Sequence, residues 1–556
     1  MPNPPAPTVS AARPPEPSAS GGVRTAVRVS TLAGVALAVF ALALALYMAG
    51  LAPGLLWGDS AEMQILAAIG GVAHPTGYPL FTLVGRVFTA FGDGDPAWRA
   101  NLLSATFAAA TLALLVAFLI RRGVRPAAAF AGAAAWGLSF TFWSTAQRAE
   151  VYSLAAFIAL GALWCTLSAL QHGHRRVRLA AGFLLGLTLT GHMAFAPCVA
   201  VAGLTLAWRV PRTGWSWLGD EIALLAVFAA GLSPYAYLLW ADQTGHGLDY
   251  LKLVEIARWP TGPVPAEFRS PFARFMWLLL GRNDYPAVPL HPDVRSIARN
   301  LSDTTFLLTL FEFGPVAFAA AVTGVRARFR AQRGETWFLC ALMAASIVFS
   351  VVTSGYKILS VFLIPCYLVV TVFVAHGMQA WAATLARRLT PRLVTAALVL
   401  LPFAGAVVAH AARLVTYDHP IGPFKSRVME EDDRTERALL PSMSGVDEPR
   451  RFVESAAQLL PDSALVICEW REFMALLYLQ RVQHRRNDLT VHPSGYPILL
   501  GKIALWQASY DLARRPVVVV SPLALMARHV VNADTLRLAT GQPVVVTRVA
   551  LVQLRP

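Results

Sequence analysis

Long apolar runs separated by short polar segments dominate the first 410 or so residues of the chain. Most of these runs approach the roughly 20 residues that a helix needs to cross the hydrocarbon core of a membrane. The pattern therefore predicts a mainly α, polytopic membrane protein with about 11 transmembrane helices. The predicted passes are residues 31–49, 102–120, 127–142, 151–170, 179–189, 194–208, 222–240, 305–325, 337–352, 358–378 and 393–409.

Basic residues between the runs predict the orientation. With the amino terminus in the cytoplasm, every basic cluster lies on the cytoplasmic side, as the positive-inside rule requires. Two long loops, about 51–101 and 241–304, and the carboxy-terminal region then lie outside. We expect a multi-pass protein of a bacterial inner membrane, with its chemistry on the outer face. The clusters are Arg121, Arg122 and Arg125; Arg175, Arg176 and Arg178; Arg209 and Arg212; Arg326, Arg328, Arg330 and Arg333; and Arg387, Arg388 and Arg392.

The two ends differ from the apolar middle, residues 30–411, which form the predicted membrane domain. Residues 1–29 are rich in Pro, Ala and Ser for most of their length, and predict a disordered cytoplasmic tail. From 412 to 556 the hydrophobicity falls, and short β-rich runs occur at 464–468, 489–491, 517–520 and 544–547, with a helical pattern at 473–484. Strands alternating with helices predict a small extracytoplasmic α/β domain.

Composition agrees with this architecture. Only 14% of the residues are charged, against about a quarter in soluble domains. The net charge of +15 does not indicate nucleic-acid binding, because the arginines fall mostly in clusters between apolar runs. Five cysteines occur without a CxxC or Cys/His cluster, so the sequence carries no zinc or disulfide signal.

The first long loop carries the strongest candidates for catalysis. Asp59 and Glu62 follow the first apolar run, three residues apart, and His74 and Tyr78 lie in a rigid HPTGYP turn. An acidic helix start stabilised by the helix dipole explains the two acids equally well on spacing alone. Charge at the edge of the hydrocarbon is costly, however, and this favours a functional role.

Further polar residues share the predicted outer face. Arg148 and Glu150, between the third and fourth passes, are either a surface ion pair or part of an acidic pocket. His192 is more typical of a packing residue than of a catalyst. Lys357 is either a snorkelling anchor or a phosphate contact.

Several motifs in fixed order resemble a known family. They are GDSAE, AHPTGYPLFTLVGR, WRANLLSA, FWSTAQRAEVYSL and TGHMAFAP, within about residues 55–200. Together they resemble the protein O-mannosyltransferase-like family of the GT-C glycosyltransferase superfamily. The resemblance implies a GT-C fold and transfer of a sugar, with inversion, from a polyprenyl-phosphate carrier to a protein or glycan acceptor outside the cytoplasm. The residues that match the family motifs are Asp59, Glu62, His74, Pro75, Tyr78, Pro79, Arg99, Asn101, Glu150, Tyr152 and His192.

We hypothesise from this resemblance that Asp59 is the general base of a single displacement. Glu62 and Glu150 would orient Asp59, bind sugar hydroxyls or hold a divalent metal, and the sequence does not choose among these roles. The candidates for holding the lipid phosphate are Arg99, Arg148 and Lys357.

Two other readings of the sequence stay open. One is a transporter or flippase, which needs polar groups near the middle of the membrane or broken helices. The other is a non-catalytic envelope assembly protein with the same fold. For the enzyme, we expect loss of the outer domain to affect acceptor choice more than hydrolysis of the donor.

Overall fold

A computed structural model describes most of the chain. The described residues are 29–208, 216–258, 264, 268–281, 294–353, 359–418, 440–493, 516–520, 533–537 and 543–547. Lys357 and nearly all of the predicted tail at 1–29 lie outside them.

The described part of the chain is mainly helical up to residue 418. Each of the 11 predicted passes contains helix. The helices, in chain order, are α1 Val29–Ala49, α2 Gly58–Ile69, α3 Pro79–Ala90, α4 Pro96–Arg121, α5 Pro126–Gly137, α6 Phe140–Ala146, α7 Tyr152–His172, α8 Arg175–Leu189, α9 Ala196–Trp208, α10 Ser216–Gly231, α11 Pro234–Thr244, α12 Tyr250–Arg258, α13 Pro271–Leu279, α14 Val294–Phe306, α15 Gly314–Ala331, α16 Arg333–Thr353, α17 Leu359–Phe362, α18 Ile364–Leu385 and α19 Pro391–Asp418.

Six of these helices are long and apolar enough to cross a membrane, and two bent pairs raise the number to eight. Helices α5 and α8, of 12 and 15 residues, are shorter than the roughly 20 residues that a straight crossing needs. The protein is therefore a multi-pass membrane protein, while the count of 11 stays a prediction. The six spans are Ser30–Ala49, Pro96–Arg121, Tyr152–His172, Arg333–Thr353, Ile364–Leu385 and Pro391–Val415.

The sharper of the two bends joins α14 to α15 through a π-helical turn at Leu307–Phe311, and the bend is 102°. Glu312 follows the turn and is fully buried. It accepts hydrogen bonds from the Thr141 hydroxyl (2.6 Å) and from Arg413 Nη2 (3.0 Å). A buried ion pair thus connects the bend to α19, and a hydrogen bond connects it to α6.

Small residues allow the closest helix contact in the membrane domain, between α15 and α18. A Cβ added at Gly377 would lie 1.8 Å from the Ala320 carbonyl oxygen, and one at Gly324 would lie 1.9 Å from that of Phe373. Only glycine permits these backbones to approach so closely, which is typical of helix packing in membranes.

The two long loops are joined by a short parallel pairing. Strand β1, Gly71–Val72, pairs with β2, Leu248–Asp249. Gly71 has φ +122°, and a Cβ there would lie 2.0 Å from the Leu248 carbonyl oxygen. The backbone of the first loop is therefore fixed against the second just before His74.

The C-terminal domain, defined here as the described residues from 440 onward, is built on a five-stranded sheet. Its strand order is β4-β3-β5-β7-β6, with β4, β3 and β5 parallel and the other pairings antiparallel. Each of the four predicted β-rich runs coincides with a strand. Its elements are α20 Glu448–Leu459, β3 Leu465–Cys468, α21 Trp470–Arg481, β4 Thr490–Pro493, β5 Val517–Val520, β6 Ala533–Arg537 and β7 Pro543–Thr547.

The C-terminal domain shares a hydrophobic core with the first loop. Leu66 and Phe81 of the loop belong to the same buried cluster as Phe452, Phe473 and Leu476 of the domain. Since one continuous core holds both segments, the domain is docked on the loop rather than tethered to it.

Candidate functional site

Helix α2 places Asp59 and Glu62 one turn apart. Asp59 lies in the first turn, is exposed, and benefits from the helix dipole there. Glu62 is fully buried. An acidic helix start accounts for Asp59 but does not account for a buried Glu62, because burying a carboxylate without a partner is costly.

The partner of Glu62 is His74. The Glu62 carboxylate accepts a hydrogen bond from the His74 backbone N–H (2.9 Å), and its other oxygen contacts His74 Nδ1. Burial raises the pKa of Glu62, against the opposing effect of the imidazolium. For His74, burial lowers the pKa, but the charges of Glu62 and Asp59 outweigh it and raise the pKa to about 9. The pair therefore holds a proton on the ring at neutral pH.

Aromatic rings pack behind this pair. The Tyr78 hydroxyl donates to the Pro75 carbonyl (2.8 Å) and lies 3.3 Å from His74 Nε2. The Tyr78 ring stacks on His192 with centroids 5.6 Å apart, and Tyr152 lies 4.9 Å from His192 on centroids.

The His192 imidazole is neutral. Burial and the charge of His74 lower its pKa to about 3. Its Nδ1 accepts a hydrogen bond from the Ala194 N–H (3.1 Å). This geometry agrees with the packing interpretation of His192, which supports the Tyr78 ring.

A third acid reaches the site from the segment just before α7. Glu150 Oε1 accepts a hydrogen bond from the Ser60 hydroxyl (2.9 Å) and lies 3.6 Å from Arg148 Nε. Glu150 thus forms an ion pair with Arg148 and also lies beside α2. The residues meet around a small pocket lined by Asp59, Met63, His74, Tyr78, Glu150, Val151 and Tyr152.

Three side chains of the site could together hold a metal ion. One ligand atom each from Asp59, Glu62 and His74 lie within 4.8 Å of one another. Two carboxylates and an imidazole suit a divalent transition metal. His74 Nδ1 already faces Glu62, however, so a metal there would compete with the proton that the pair shares.

Neither Arg148 nor Arg99 lines the pocket, although Arg148 Nε lies 3.6 Å from Glu150, which does. Arg99 donates from Nη1 to the Gly92 carbonyl, at the end of the first loop, and does not line the pocket. Lys357 lies outside the described residues.

Polar groups buried beneath the loop hold its backbone. Asn101 donates to the carbonyl of Gly54 (3.0 Å), and its Oδ1 accepts from Gln64 Nε2 (2.9 Å) and the Ala149 N–H (2.9 Å). The family motif had marked Asn101, and its burial explains the residue as a brace between α2, α4 and the Glu150 segment.

Sequence reasoning missed one residue that touches the site. Trp470, at the start of α21, donates a hydrogen bond from Nε1 to Asp59 Oδ1 (2.7 Å). The two residues are 411 positions apart. No local pattern in the sequence indicates this contact.

Comparison with known proteins confirms the resemblance over the first part of the chain. Residues 59–215 match the family described as protein O-mannosyl-transferase TMEM260 N-terminal domain. The chain is 32% identical over 223 residues to protein O-mannosyl-transferase TMEM260 of Mus musculus, a match covering 37% of this chain and 32% of the mouse protein. The chain thus spans about a third of the length of that curated relative.

Solved structures show the fold. ArnT from Cupriavidus metallidurans in the apo state superposes with a TM-score of 0.52 at 14% identity, covering 93% of this chain and 98% of that one. The same protein bound to undecaprenyl phosphate gives a TM-score of 0.50 at 15% identity, covering 94% and 98%. The predicted GT-C fold is confirmed, while identity this low says nothing of the reaction.

Proposed function

We propose that this protein is a membrane glycosyltransferase that moves a sugar from a polyprenyl-phosphate donor to an acceptor hydroxyl, with protein O-mannosylation as the specific reaction. The observation that supports it most is the pocket, where an exposed carboxylate lies beside a buried Glu62–His74 pair. These residues lie within the region that matches an O-mannosyl-transferase family. The ArnT structure with undecaprenyl phosphate supports a lipid-linked donor through the shared fold.

The proposed reaction is a single displacement. The acceptor oxygen attacks the anomeric carbon as Asp59 takes the hydroxyl proton, and the bond from that carbon to the phosphate oxygen breaks. The polyprenyl phosphate leaves with the bonding electron pair, and the configuration at the anomeric carbon inverts. A positioned base typically contributes about 10²–10⁴-fold to the rate.

The structure supports His74 as a cation for the leaving phosphate. Its pKa is raised to about 9, it lines the pocket, and its ring is held by Glu62. A cation fixed beforehand stabilises charge that develops on the phosphate without reorganisation during the reaction. Arg148, tied to Glu150, is the second candidate.

The decisive experiment uses the full-length protein in proteoliposomes with radiolabelled polyprenyl-phosphate mannose and a Ser/Thr-rich peptide. We expect transfer by the wild type and a loss of about 10²-fold or more for Asp59→Asn. Asp93→Asn is the matched control, because Asp93 is an exposed acid of the same loop that does not line the pocket. A folded Asp59→Asn variant that transfers at the wild-type rate would refute Asp59 as the base. The absence of any transfer by the wild type, with mannose and with other polyprenyl-linked sugars, would refute the proposed function.

A further experiment tests the metal requirement. Chelation with EDTA abolishes transfer if a divalent ion at Asp59, Glu62 and His74 is needed, and leaves transfer unchanged otherwise.

Another experiment tests the orientation of the protein in the membrane. A cysteine introduced at Asp93 should react with a membrane-impermeant maleimide in intact cells, whereas one at Arg387 should not. The reverse labelling pattern would place the pocket in the cytosol and end the proposal.

A further inference from the structure

Trp470 connects the C-terminal domain to the proposed base. Trp470 Nε1 lies 2.7 Å from Asp59 Oδ1. Its ring lies over the start of α2, since a Cβ added at Gly58 would be 4.0 Å from Trp470 Cδ1. The same ring meets Tyr250 of the second loop edge-on at 5.8 Å between centroids. Two segments distant in sequence, the start of α2 and the second loop, thus converge on Trp470.

The domain that carries Trp470 is anchored close by. The Tyr478 hydroxyl, two turns further along α21, hydrogen-bonds Asp95 Oδ1 and accepts from the Ala97 N–H (3.1 Å) at the start of α4. Arg471 lies over the Trp57 ring at 4.5 Å, and Trp57 contacts Phe452 at 5.3 Å between centroids. Because the side chains on both sides of this contact are packed, the indole is held in place at Asp59.

The chemistry of the indole defines what this contact can do. Tryptophan has one N–H donor and no acceptor, so it can only donate to a carboxylate. It therefore fixes one oxygen of Asp59 and leaves the other oxygen to receive a proton from the acceptor hydroxyl. A base must be held within a fraction of an ångström of its working geometry to be effective.

We propose that Trp470 is a positioning residue for Asp59, so that the C-terminal domain forms part of the active site. This inference rests on the proposed function. It replaces the expectation that the domain governs acceptor choice separately from donor use, because both transfer to an acceptor and hydrolysis of the donor by water require the same oriented carboxylate.

The test is Trp470→Phe in the full-length protein, which keeps an aromatic ring beside Tyr250 and Phe473 and removes the N–H donor. Trp98→Phe is the matched control, because Trp98 is a partly exposed tryptophan of the same region that does not line the pocket. The probe is radiolabelled polyprenyl-phosphate mannose, with the Ser/Thr-rich peptide and then with water as acceptor. Melting temperature and resistance to trypsin report folding.

We expect Trp470→Phe to lower kcat about 10- to 100-fold for both acceptors, with KM for the donor and the melting temperature near wild type. Trp98→Phe should behave as wild type. Three results would overturn the inference: an unchanged kcat, a fall confined to the peptide reaction, or a loss of kcat that only follows a loss of folded protein. In each case an active wild type leaves the proposed function standing, so the two failures are distinguishable.

Discussion

Replacing Glu62 by glutamine tests the charge state of the buried pair beneath the pocket. Glutamine has nearly the same shape and still accepts a hydrogen bond from the His74 backbone, so the change removes little besides the negative charge. In the wild type the pKa of His74 rises from 6.5 to about 9. One pKa unit corresponds to about 1.4 kcal/mol, so this net rise, which includes the opposing effect of burial, corresponds to about 3 kcal/mol of stability.

The sign of the pH dependence follows from linkage. A raised folded-state pKa means that the stabilisation is fully present below the unfolded value of 6.5 and is lost as the pH rises through about 9. At pH 6 Glu62→Gln should therefore be less stable than the wild type, by less than this amount because Asp59 and Glu150 also raise the pKa of His74. At pH 10 the ring is neutral and Glu62 is a buried charge without a cation, so the difference should vanish or reverse.

The assay is thermal unfolding of the full-length protein in detergent, followed by intrinsic fluorescence from pH 6 to pH 10. Glu454→Gln is the control, because its carboxylate forms only an exposed pair with Arg450 on α20. Exposed pairs contribute about 0–1 kcal/mol, so this variant should follow the wild type at every pH. A stability difference between Glu62→Gln and the wild type that stays constant across the pH range would refute the ionic description of the pair.

Two predictions concern the membrane domain. Gly377→Ala should disrupt the contact between α15 and α18, because its Cβ would lie 1.8 Å from the Ala320 oxygen. Gly203→Ala, with open space around it, should be tolerated. The yield of monodisperse protein measures both effects, and equal yields of the two variants would contradict the packing. Arg413→Met should destabilise the protein by about 3–5 kcal/mol by leaving Glu312 buried and unpaired, and adding Glu312→Gln should restore much of the loss, as thermal unfolding would show.

The sequence predicts the helices because the hydrocarbon core imposes a length on apolar runs. It also predicts the strands at Leu465–Cys468 and Val517–Val520, because short β-branched runs flanked by polar turns have few alternatives. It does not predict the 102° bend between Phe311 and Gly314, which follows the π-helical turn at Leu307–Phe311. A single π-helical turn inside an apolar run leaves the hydrophobic pattern almost unchanged.

The same distinction between local patterns and long-range contacts applies to the candidate site. Asp59, His74 and Glu150 are found from the sequence because local motifs carry them. The burial of Glu62 and the hydrogen bond from Trp470 depend on how distant segments dock. Such contacts have no periodicity, so they become visible only when the fold is known.

The ion pair at the bend has a consequence for how the protein is made. Glu312 emerges from the ribosome 101 residues ahead of Arg413, which lies on α19, the last helix before the C-terminal domain among the described residues. A lone carboxylate is costly within a membrane, so we expect the bend between α14 and α15 to reach its final geometry only after α19 has been inserted. Folding of the membrane domain would then finish when α19 packs against the bend between α14 and α15. Truncation before α19 would leave that carboxylate unpaired, and would make the protein a substrate for the quality-control proteases of the membrane.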